Sequence, residues 1–275
     1  MIANILTIAG SDSGGGAGIQ ADLKTFSALG AYGCSVITAL TAQNTRAVTG
    51  IHEVPAAFVT AQIDAVLDDI DIAAIKIGML ATPAIIDAVA AALERHGVQT
   101  VVLDPVMVAK SGDHLLRPEA VRALRKRLLP LASVVTPNLL EAGVLLDMEP
   151  AVDEAGMVEA AARLRRLGPR AVLLKGGHRE GAESIDVFDD GSEPLTLATP
   201  RINTANTHGT GCTLSSALAA LLGQGMPPRA AVRAAKAYIT EAIAASDRLR
   251  VGGGHGPVHH FHRWWPKEAP EKDRG

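Results

Sequence analysis

The chain alternates between short, almost wholly apolar runs and longer segments with helical periodicity, and this pattern continues through most of its 275 residues. Each apolar run has the length of a strand and leads into a turn. The runs are ILTIAG, CSVITAL, AAIKIG, TVVLDP, SVVTPN and AVLLKGG. Because strands that alternate with helices form right-handed crossovers, the sequence predicts an α/β fold with a mainly parallel central sheet and helices on both faces.

The helical segments have recognisable ends. Thr82 and Pro83 suit the N-cap and the first helical position of one helix, and Gly97 suits its C-terminal stop. Similar signals predict helices near residues 17–29, 56–68, 117–128, 138–146, 154–167, 212–223 and 228–247. Residues 184–198 are predicted to form an antiparallel hairpin around Asp190-Gly191 at the sheet edge.

No segment is rich enough in Pro, Gly or Ser to divide the chain. Residues 1–265 are therefore expected to form a single domain. The polar, Pro-bearing residues 266–275 are expected to be a disordered tail.

Composition argues against several classes of function. The net charge of −3 and the aromatic content of 3% argue against a nucleic-acid-binding surface. The start MIANILTIAGSDSGGG is expected to be a first strand rather than a signal peptide, and no stretch approaches the roughly 20 apolar residues of a membrane span. Cys34 and Cys212 have no CxxC neighbour, so a cytoplasmic protein without disulfides is expected.

Polar residues follow most of the predicted strands. Since ligands of open α/β sheets bind at the carboxyl ends of the strands, these residues are expected to lie in one cleft. They are Gly10-Ser11-Asp12, Gln43-Asn44, Gly78-Met79, Asp104-Pro105, Thr136-Pro137-Asn138 and Lys175-Gly176-Gly177. Asp, Asn and Lys at so many strand ends favour an enzyme.

The segment 206–212 (NTHGTGC) is a glycine-bearing turn that leads directly into the apolar helix TLSSALAALL. Glycines let backbone N–H groups face a ligand, and a helix N-terminus favours negative charge. The segment therefore predicts an anion site, although an ordinary glycine turn before a core helix has the same pattern. GxxxxGK[ST] and GxGxxG are both missing, which disfavours a P-loop ATPase and a Rossmann dehydrogenase.

Several of these segments together resemble the bacterial hydroxymethylpyrimidine/phosphomethylpyrimidine kinases, which belong to the ribokinase-like superfamily. The matching segments span residues 9–33, 38–45, 76–80, 104–116, 136–142, 173–178 and 206–222, and the likeness extends to GPVHHFHRWW. The resemblance implies an enzyme that uses ATP and Mg²⁺ to phosphorylate a hydroxymethylpyrimidine and then its monophosphate for thiamine biosynthesis. It also implies a homodimer.

The resemblance assigns the anion hole to the residues at the start of the helix, which are Gly209, Thr210, Gly211 and Cys212. Cys212 stands where many superfamily members carry an aspartate base. A thiol works best as thiolate, and the helix N-terminus is expected to lower its pKa. The alternative is that Cys212 is a small packing residue and that positioning supplies most of the rate.

The resemblance also implies metal and nucleotide contacts. Asp104 and Glu141 would hold Mg²⁺, and the nucleotide contacts would come from Lys175, Asp104, Asn138 and Thr207. Three of these residues have simpler explanations. The spacing of Asn138 and Glu141 is that of a capping box, and a lysine at a strand end is often only solvated.

For the acceptor, the family places Gln43 on the pyrimidine, and its amide can both donate and accept hydrogen bonds. A carboxylate from Asp12 or Asp22 can take an amine hydrogen, although a residue inside a helix such as Asp22 can simply face solvent. Met79 and Val106 are expected to sandwich the ring or to belong to the core.

Three further questions stay open at this point. A pyridoxal or pyridoxine kinase, and a catalytically silent sensor on the same scaffold, are alternatives to the leading hypothesis. The histidines near the C-terminus lack a fixed metal-ligand set, so docking against the fold or a partner subunit is the favoured explanation for them.

Overall fold

The computed structural model describes residues 1–107, 118–177 and 181–266. The strands in these ranges are β1 (Asn4–Ala9), β2 (Tyr32–Ile37), β3 (Ala39–Gln43), β4 (Val48–Glu53), β5 (Ala74–Ile77), β6 (Val101–Leu103), β7 (Val134–Val135), β8 (Ala171–Lys175), β9 (Glu183–Asp189) and β10 (Leu195–Pro200). The helices are α1 (Gly18–Ala28), α2 (Ala56–Leu67), α3 (Pro83–His96), α4 (Pro118–Ala123), α5 (Leu139–Leu146), α6 (Glu154–Arg165), α7 (Thr210–Gly223) and α8 (Pro228–Ala244).

Eight of the strands described form one sheet in the order β10-β9-β8-β7-β6-β5-β1-β2. All neighbours from β2 to β8 are parallel, whereas β9 is antiparallel to both β8 and β10. The mainly parallel sheet is thus confirmed. The predicted hairpin at its edge is confirmed too, and Gly191 in its turn has a φ of 91°, which glycine adopts without strain.

Helices cover the sheet on both faces, as predicted. One core packs α2, α3, α5 and α6 against side chains such as Leu6 and Ile8 of β1. The other packs α1, α7 and α8 against side chains such as Ile5 and Val102. Strand residues alternate between the two cores because successive side chains point to opposite faces of a sheet.

The predicted helix ends are also present where their signals were clearest. The Thr82 hydroxyl accepts a hydrogen bond from the Ile85 N–H at 3.3 Å, and Gly97 ends α3 in the left-handed region with a φ of 64°. Two helices differ from the prediction near their C-termini. After α4 the chain continues as a π-helical turn, Leu124–Leu128, and after α8 a 3₁₀ turn covers Ser246–Arg248.

The prediction of one strand over CSVITAL was wrong. The chain divides at Thr38, whose N–H donates to Ala9 while its C=O accepts from Val54. After this point β3 leaves the main sheet and pairs with β4 in a separate two-stranded ribbon. The sequence of β4, VTGIHE, is mostly exposed, so it lacks the apolar run that identified the other strands.

Two expectations concern membrane-spanning helices and the C-terminal tail. Within the ranges described, no helix combines the length and apolarity needed to span a membrane. The disordered tail predicted for residues 266–275 lies outside the described residues, apart from Pro266.

A fully buried ion pair lies between the sheet and the helices α1 and α7. Lys76 of β5 and Asp22 of α1 are both inaccessible to solvent, and Nζ lies 2.9 Å from Oδ2. The hydroxyl of Thr7 also donates to Oδ2, at 2.6 Å, and that of Ser216 donates to Oδ1, at 2.6 Å. Burial alone would lower the pKa of Lys76, but the negative charges of Asp22, Cys212 and Asp104 together outweigh it and raise the pKa.

Replacing Lys76 with Met should destabilise the fold, because Asp22 would keep its charge in the interior without its cation. We expect Lys76→Met to lower the free energy of unfolding by about 3–5 kcal/mol. Urea denaturation measures this loss. The double variant Lys76→Met/Asp22→Asn should recover part of it.

Lys126→Met is the matched control, since Lys126 is exposed and surface changes usually shift stability by no more than about 0.5 kcal/mol. Equal stability of the Lys76 and Lys126 variants would show that the buried pair does not hold the sheet to α1.

Candidate functional site

Two loops meet at the carboxyl ends of the strands. The glycine loop (residues 11–18) follows β1, and the α7 loop (residues 207–212) leads into α7. Gly209 has a φ of 79°, and a Cβ added there would overlap the carbonyl oxygen of Gly16. A Cβ added at Gly16 would in turn overlap the ring of His208. The contact between the loops therefore requires glycine on both sides.

An ion pair lies directly beneath the α7 loop. Nζ of Lys175 is 2.7 Å from Oδ1 of Asp104, and a Cβ built on Gly211 would be 3.3 Å from that Nζ and 3.7 Å from Oδ2 of Asp104. Burial alone would raise the pKa of Asp104, but Lys175 and Lys76 together lower it. The structure thus brings together three residues that the sequence singled out, and it places a half-buried cation beside the start of a helix.

Asn138 and Glu141 form the capping box that their spacing suggested. The side chain of Asn138 accepts from the Glu141 N–H at 2.9 Å, and the Glu141 carboxylate accepts from the Asn138 N–H at 2.8 Å. Burial raises the pKa of Glu141 to about 7, and Asp104 adds to the rise against the opposing charge of Lys175. Glu141 therefore caps α5 and also belongs to the buried charged cluster.

Cys212 lies in the first turn of α7 and is a free thiol. Burial raises its pKa to about 11; Lys76 opposes the rise, and so does a hydrogen bond from the Gly18 N–H. The pKa of Cys212 is thus raised, opposite to the direction expected from the helix N-terminus, and burial is the largest cause. The hydroxyl of Thr210 donates to the carbonyl of Thr207 at 2.7 Å and so closes the turn before Cys212.

Gln43 ends β3 beside the glycine loop. Its Oε1 accepts from the Thr41 hydroxyl at 3.2 Å. The Ser13 hydroxyl accepts from the Gln43 N–H and donates to the Gln43 C=O, both at 2.8 Å. Because Gly16 of the same loop contacts Gly209, the glycine loop connects Gln43 with the α7 loop.

Met79 and Val106 are both half-buried at strand ends. The Met79 methyl packs over Gly10, where an added Cβ would lie 2.5 Å from it. Val106 is in a turn in which its N–H donates to the Asp104 carbonyl at 2.8 Å. Residues 108–116, the remainder of the motif DPVMVAKSGDHLL, lie outside the described residues.

The two carboxylates expected to contact a substrate amine are both buried and hydrogen-bonded within the fold. Asp22 is fully buried, and its oxygens are occupied by Lys76, Thr7 and Ser216. Asp12 is 2% exposed and accepts hydrogen bonds from the glycine loop and from His208. Internal donors thus satisfy both carboxylates, as is usual for buried charges, and a contact of either with a substrate amine stays a prediction.

Two further polar residues, Lys76 and His208, were missed. Lys76 interrupts the apolar strand AAIKIG, and a charge at a buried strand position is a signal that could have drawn attention to it. His208 lies within the glycine-bearing turn, but nothing local identifies its partner, since the distance in sequence to Asp12 is 196 residues.

The C-terminal histidines pack against the fold, in line with the favoured explanation. His259, His260 and His262 are buried, and the Tyr238 hydroxyl donates to the His260 carbonyl at 2.7 Å. Thr213 of α7 lies 3.0 Å from the His260 ring. Among the residues that the structure covers, no group of three or more His, Cys, Asp or Glu is arranged to hold a metal ion.

Comparison with known proteins agrees with this architecture. A sequence profile described as phosphomethylpyrimidine kinase matches residues 12–259. A hydroxymethylpyrimidine/phosphomethylpyrimidine kinase of Rhizobium meliloti is 60% identical over 265 residues, which are 96% of this chain and 99% of that protein.

Two solved structures share the fold. An ADP complex of Bacillus subtilis pyridoxal kinase is 39% identical with a TM-score of 0.89 and covers 96% of this chain and 100% of its own. A phosphomethylpyrimidine kinase of Clostridium difficile is 44% identical with a TM-score of 0.79 and covers 88% of this chain and 99% of its own. Since the profile spans most of the sequence and the relative matches over nearly its full length, the chain belongs to the phosphomethylpyrimidine kinase family.

Proposed function

We propose that this protein transfers the γ-phosphoryl group of ATP to the hydroxyl of 4-amino-5-hydroxymethyl-2-methylpyrimidine and then to the resulting monophosphate, in the synthesis of thiamine. The observation that carries the proposal is the α7 loop above the Lys175–Asp104 pair. A glycine-bearing helix start next to a half-buried lysine suits a phosphoryl group that gathers negative charge during transfer.

Each element of this site has one task. Lys175 lies where it can contact the nucleotide phosphates, with Asn138 and Thr207 beside them. The N–H groups at the start of a helix have no intrahelical partners, and those of Gly209, Thr210, Gly211 and Cys212 would face the transferred group. As the substrate oxygen bonds to phosphorus and the bond to ADP breaks, the thiolate form of Cys212 takes the hydroxyl proton.

The donor set fits Mg²⁺, a hard cation that prefers oxygen ligands and keeps several waters. Asp104 and Glu141 are carboxylates of one buried cluster, and Asp104 contributes to the raised pKa of Glu141. A cation near both carboxylates would relieve that repulsion, so these two residues would hold the ion, directly or through water. When bound, Mg²⁺ supplies neutralising charge to the phosphate oxygens.

The acceptor ring is placed between Gln43 on one side and the α7 loop on the other. The Gln43 amide can hydrogen-bond to the ring nitrogen and the exocyclic amine of an aminopyrimidine. Met79 and Val106, both half-buried, supply apolar contacts to the ring faces. Specificity between flat rings that both carry a hydroxymethyl group would then depend on a few hydrogen bonds.

A turnover assay tests the activity. Release of ADP should require both Mg²⁺ and the hydroxymethylpyrimidine, and kcat/KM for the pyrimidine should exceed that for pyridoxine by at least about 10-fold, the value of one or two hydrogen bonds. Lack of turnover would favour a sensor, and a preference for pyridoxine would favour a pyridoxal or pyridoxine kinase.

Gln43→Leu provides the specificity control. It removes the amide but keeps a side chain of similar size, so kcat/KM for the pyrimidine should fall while the KM for ATP stays unchanged. An equal fall for both ring alcohols would show that Gln43 does not select the ring.

Cys212→Ala should lower kcat by about 100-fold or more, since general bases contribute 10²–10⁴-fold. KM should change little, because the loop backbone remains. Cys212→Asp should restore part of the rate by supplying a carboxylate base. A kcat for Cys212→Ala within a few-fold of wild type would leave catalysis to positioning alone.

The pH profile separates the base from a packing role. Because burial raises the pKa of Cys212 to about 11, the thiolate is a minor form at neutral pH, and its fraction grows as pH rises. The kcat of the wild type should therefore increase steadily from pH 7 to pH 9.5, and Cys212→Asp should lose that slope. A flat wild-type profile would contradict the assignment.

We also propose that residues 1–265 form one kinase domain, that the protein acts in the cytoplasm, and that it is a homodimer. One eight-stranded sheet includes both β1, the first strand, and β10, the last, which supports a single domain. The free thiols Cys34 and Cys212 suit a reducing compartment.

The separate β3–β4 ribbon supports the dimer. Leu40 and Ile51 are each 47% exposed there, at register positions that face opposite sides.

The double variant Leu40→Asp/Ile51→Asp should be monomeric in light-scattering chromatography, because charge at an apolar contact surface opposes association. Val152→Asp is the matched control, since Val152 is 85% exposed and lies outside the ribbon. A wild type that is monomeric at micromolar concentration would refute the dimer.

A further inference from the structure

Asp12 and His208 connect the glycine loop to the α7 loop, and the proposed chemistry uses neither side chain. Oδ2 of Asp12 lies 2.8 Å from Nε2 of His208. Asp12 is 2% exposed and comes shortly after β1, whereas His208 directly precedes Gly209. The pair thus joins two segments that are distant in sequence at the position where the proposed substrates would meet.

The Asp12 carboxylate also determines the shape of the glycine loop. Oδ1 accepts from the Gly14 N–H at 2.8 Å, and Oδ2 accepts from the N–H groups of Gly16 and Ala17 at 3.0 and 2.8 Å. A carboxylate with several N–H donors is a strong hydrogen-bonding centre. Burial alone would raise the pKa of Asp12, but the bonds from His208 and Ala17 outweigh it and lower the pKa.

His208 is held from other directions as well. The backbone N–H of His208 donates to the Gly256 carbonyl at 3.0 Å, and the backbone C=O of His208 accepts from the Val258 N–H at 3.3 Å. Its ring fills the space over Gly16 in which a Cβ would not fit. The imidazole therefore has a fixed position relative to three segments of the chain, and only its Nε2 reaches the Asp12 carboxylate.

These contacts matter for a reaction that depends on geometry. Phosphoryl transfer proceeds largely by positioning, and a misplacement of about 1 Å can cost 100-fold in rate. Accepting the function proposed above, we propose that Asp12 and His208 are positioning residues, whose hydrogen bond holds the α7 loop in register with the glycine loop and so aligns the acceptor hydroxyl with the phosphoryl group.

His208→Ala and His208→Gln test this role. The alanine variant loses the donor, and we expect its kcat to fall by about 30- to 100-fold, with KM for ATP and for the pyrimidine within about 3-fold of wild type because their direct contacts remain. In His208→Gln the amide N–H can still donate to Asp12, so kcat should stay within about 5-fold of wild type.

His96→Ala is the matched control. His96 of α3 also pairs with a carboxylate, with its Nε2 2.9 Å from Oδ1 of Asp64 in α2, but neither α2 nor α3 contributes to the two loops. Its kcat should equal that of the wild type. Thermal melting of all three variants shows whether a fall in kcat merely follows a loss of folded protein.

The outcomes separate the inference from the proposed function. A wild type that turns over, together with a His208→Ala variant whose kcat is within about 3-fold of it, would overturn the positioning role alone. Equal loss in the Ala and Gln variants would overturn it too, since the hydrogen bond would then not be the cause. Absence of turnover in the wild type would overturn the proposed function itself.

Discussion

The ion pair between Lys175 and Asp104 is the constraint on which the site depends. Lys175 ends β8 and Asp104 follows β6, so the pair spans β7 at the middle of the sheet. Two buried charges need each other and further hydrogen bonds to be tolerated, and Thr136 and Ser215 supply hydroxyls to Asp104. Because Ser215 belongs to α7, the same carboxylate links the sheet to the helix that carries the α7 loop.

A second buried pair repeats this arrangement on the other side of α7. Ser216 donates to Asp22, which binds Lys76, so consecutive residues of α7 bind two different carboxylates. The helix is thereby fixed in rotation as well as in position. Residues one turn apart on a helix share a face, which places Cys212 above Ser216 and Gly211 above Ser215. Internal charges thus determine where the first turn of α7 points.

Most of the fold was predictable because its signals are local. Caps such as Thr82 and stops such as Gly97 act over a few residues, and the structure contains both. Each apolar run also forms a strand, apart from CSVITAL, which divides at Thr38. The β3–β4 ribbon was not predictable from that pattern, since it is largely exposed and lacks an apolar run. The sequence located Lys175, Asp104 and Gly211 in one place because parallel strands end at one edge of a sheet. It named Asp12 and Asp22 as candidate substrate contacts without identifying His208, Lys76 or Ser216, because these partners are distant in sequence.

The same electrostatics offer a reason for a thiol at position 212. Asp22 and Asp104 both raise the pKa of Cys212, which means that negative charge there is opposed from two sides. An aspartate would bring a third carboxylate close to Asp22 and Asp104. A neutral thiol avoids that repulsion in most molecules, and the minor fraction that has already lost its proton to solvent is the form that can act as the base. The cost is that only a small fraction is thiolate at neutral pH, which the proximity of Lys76 partly offsets.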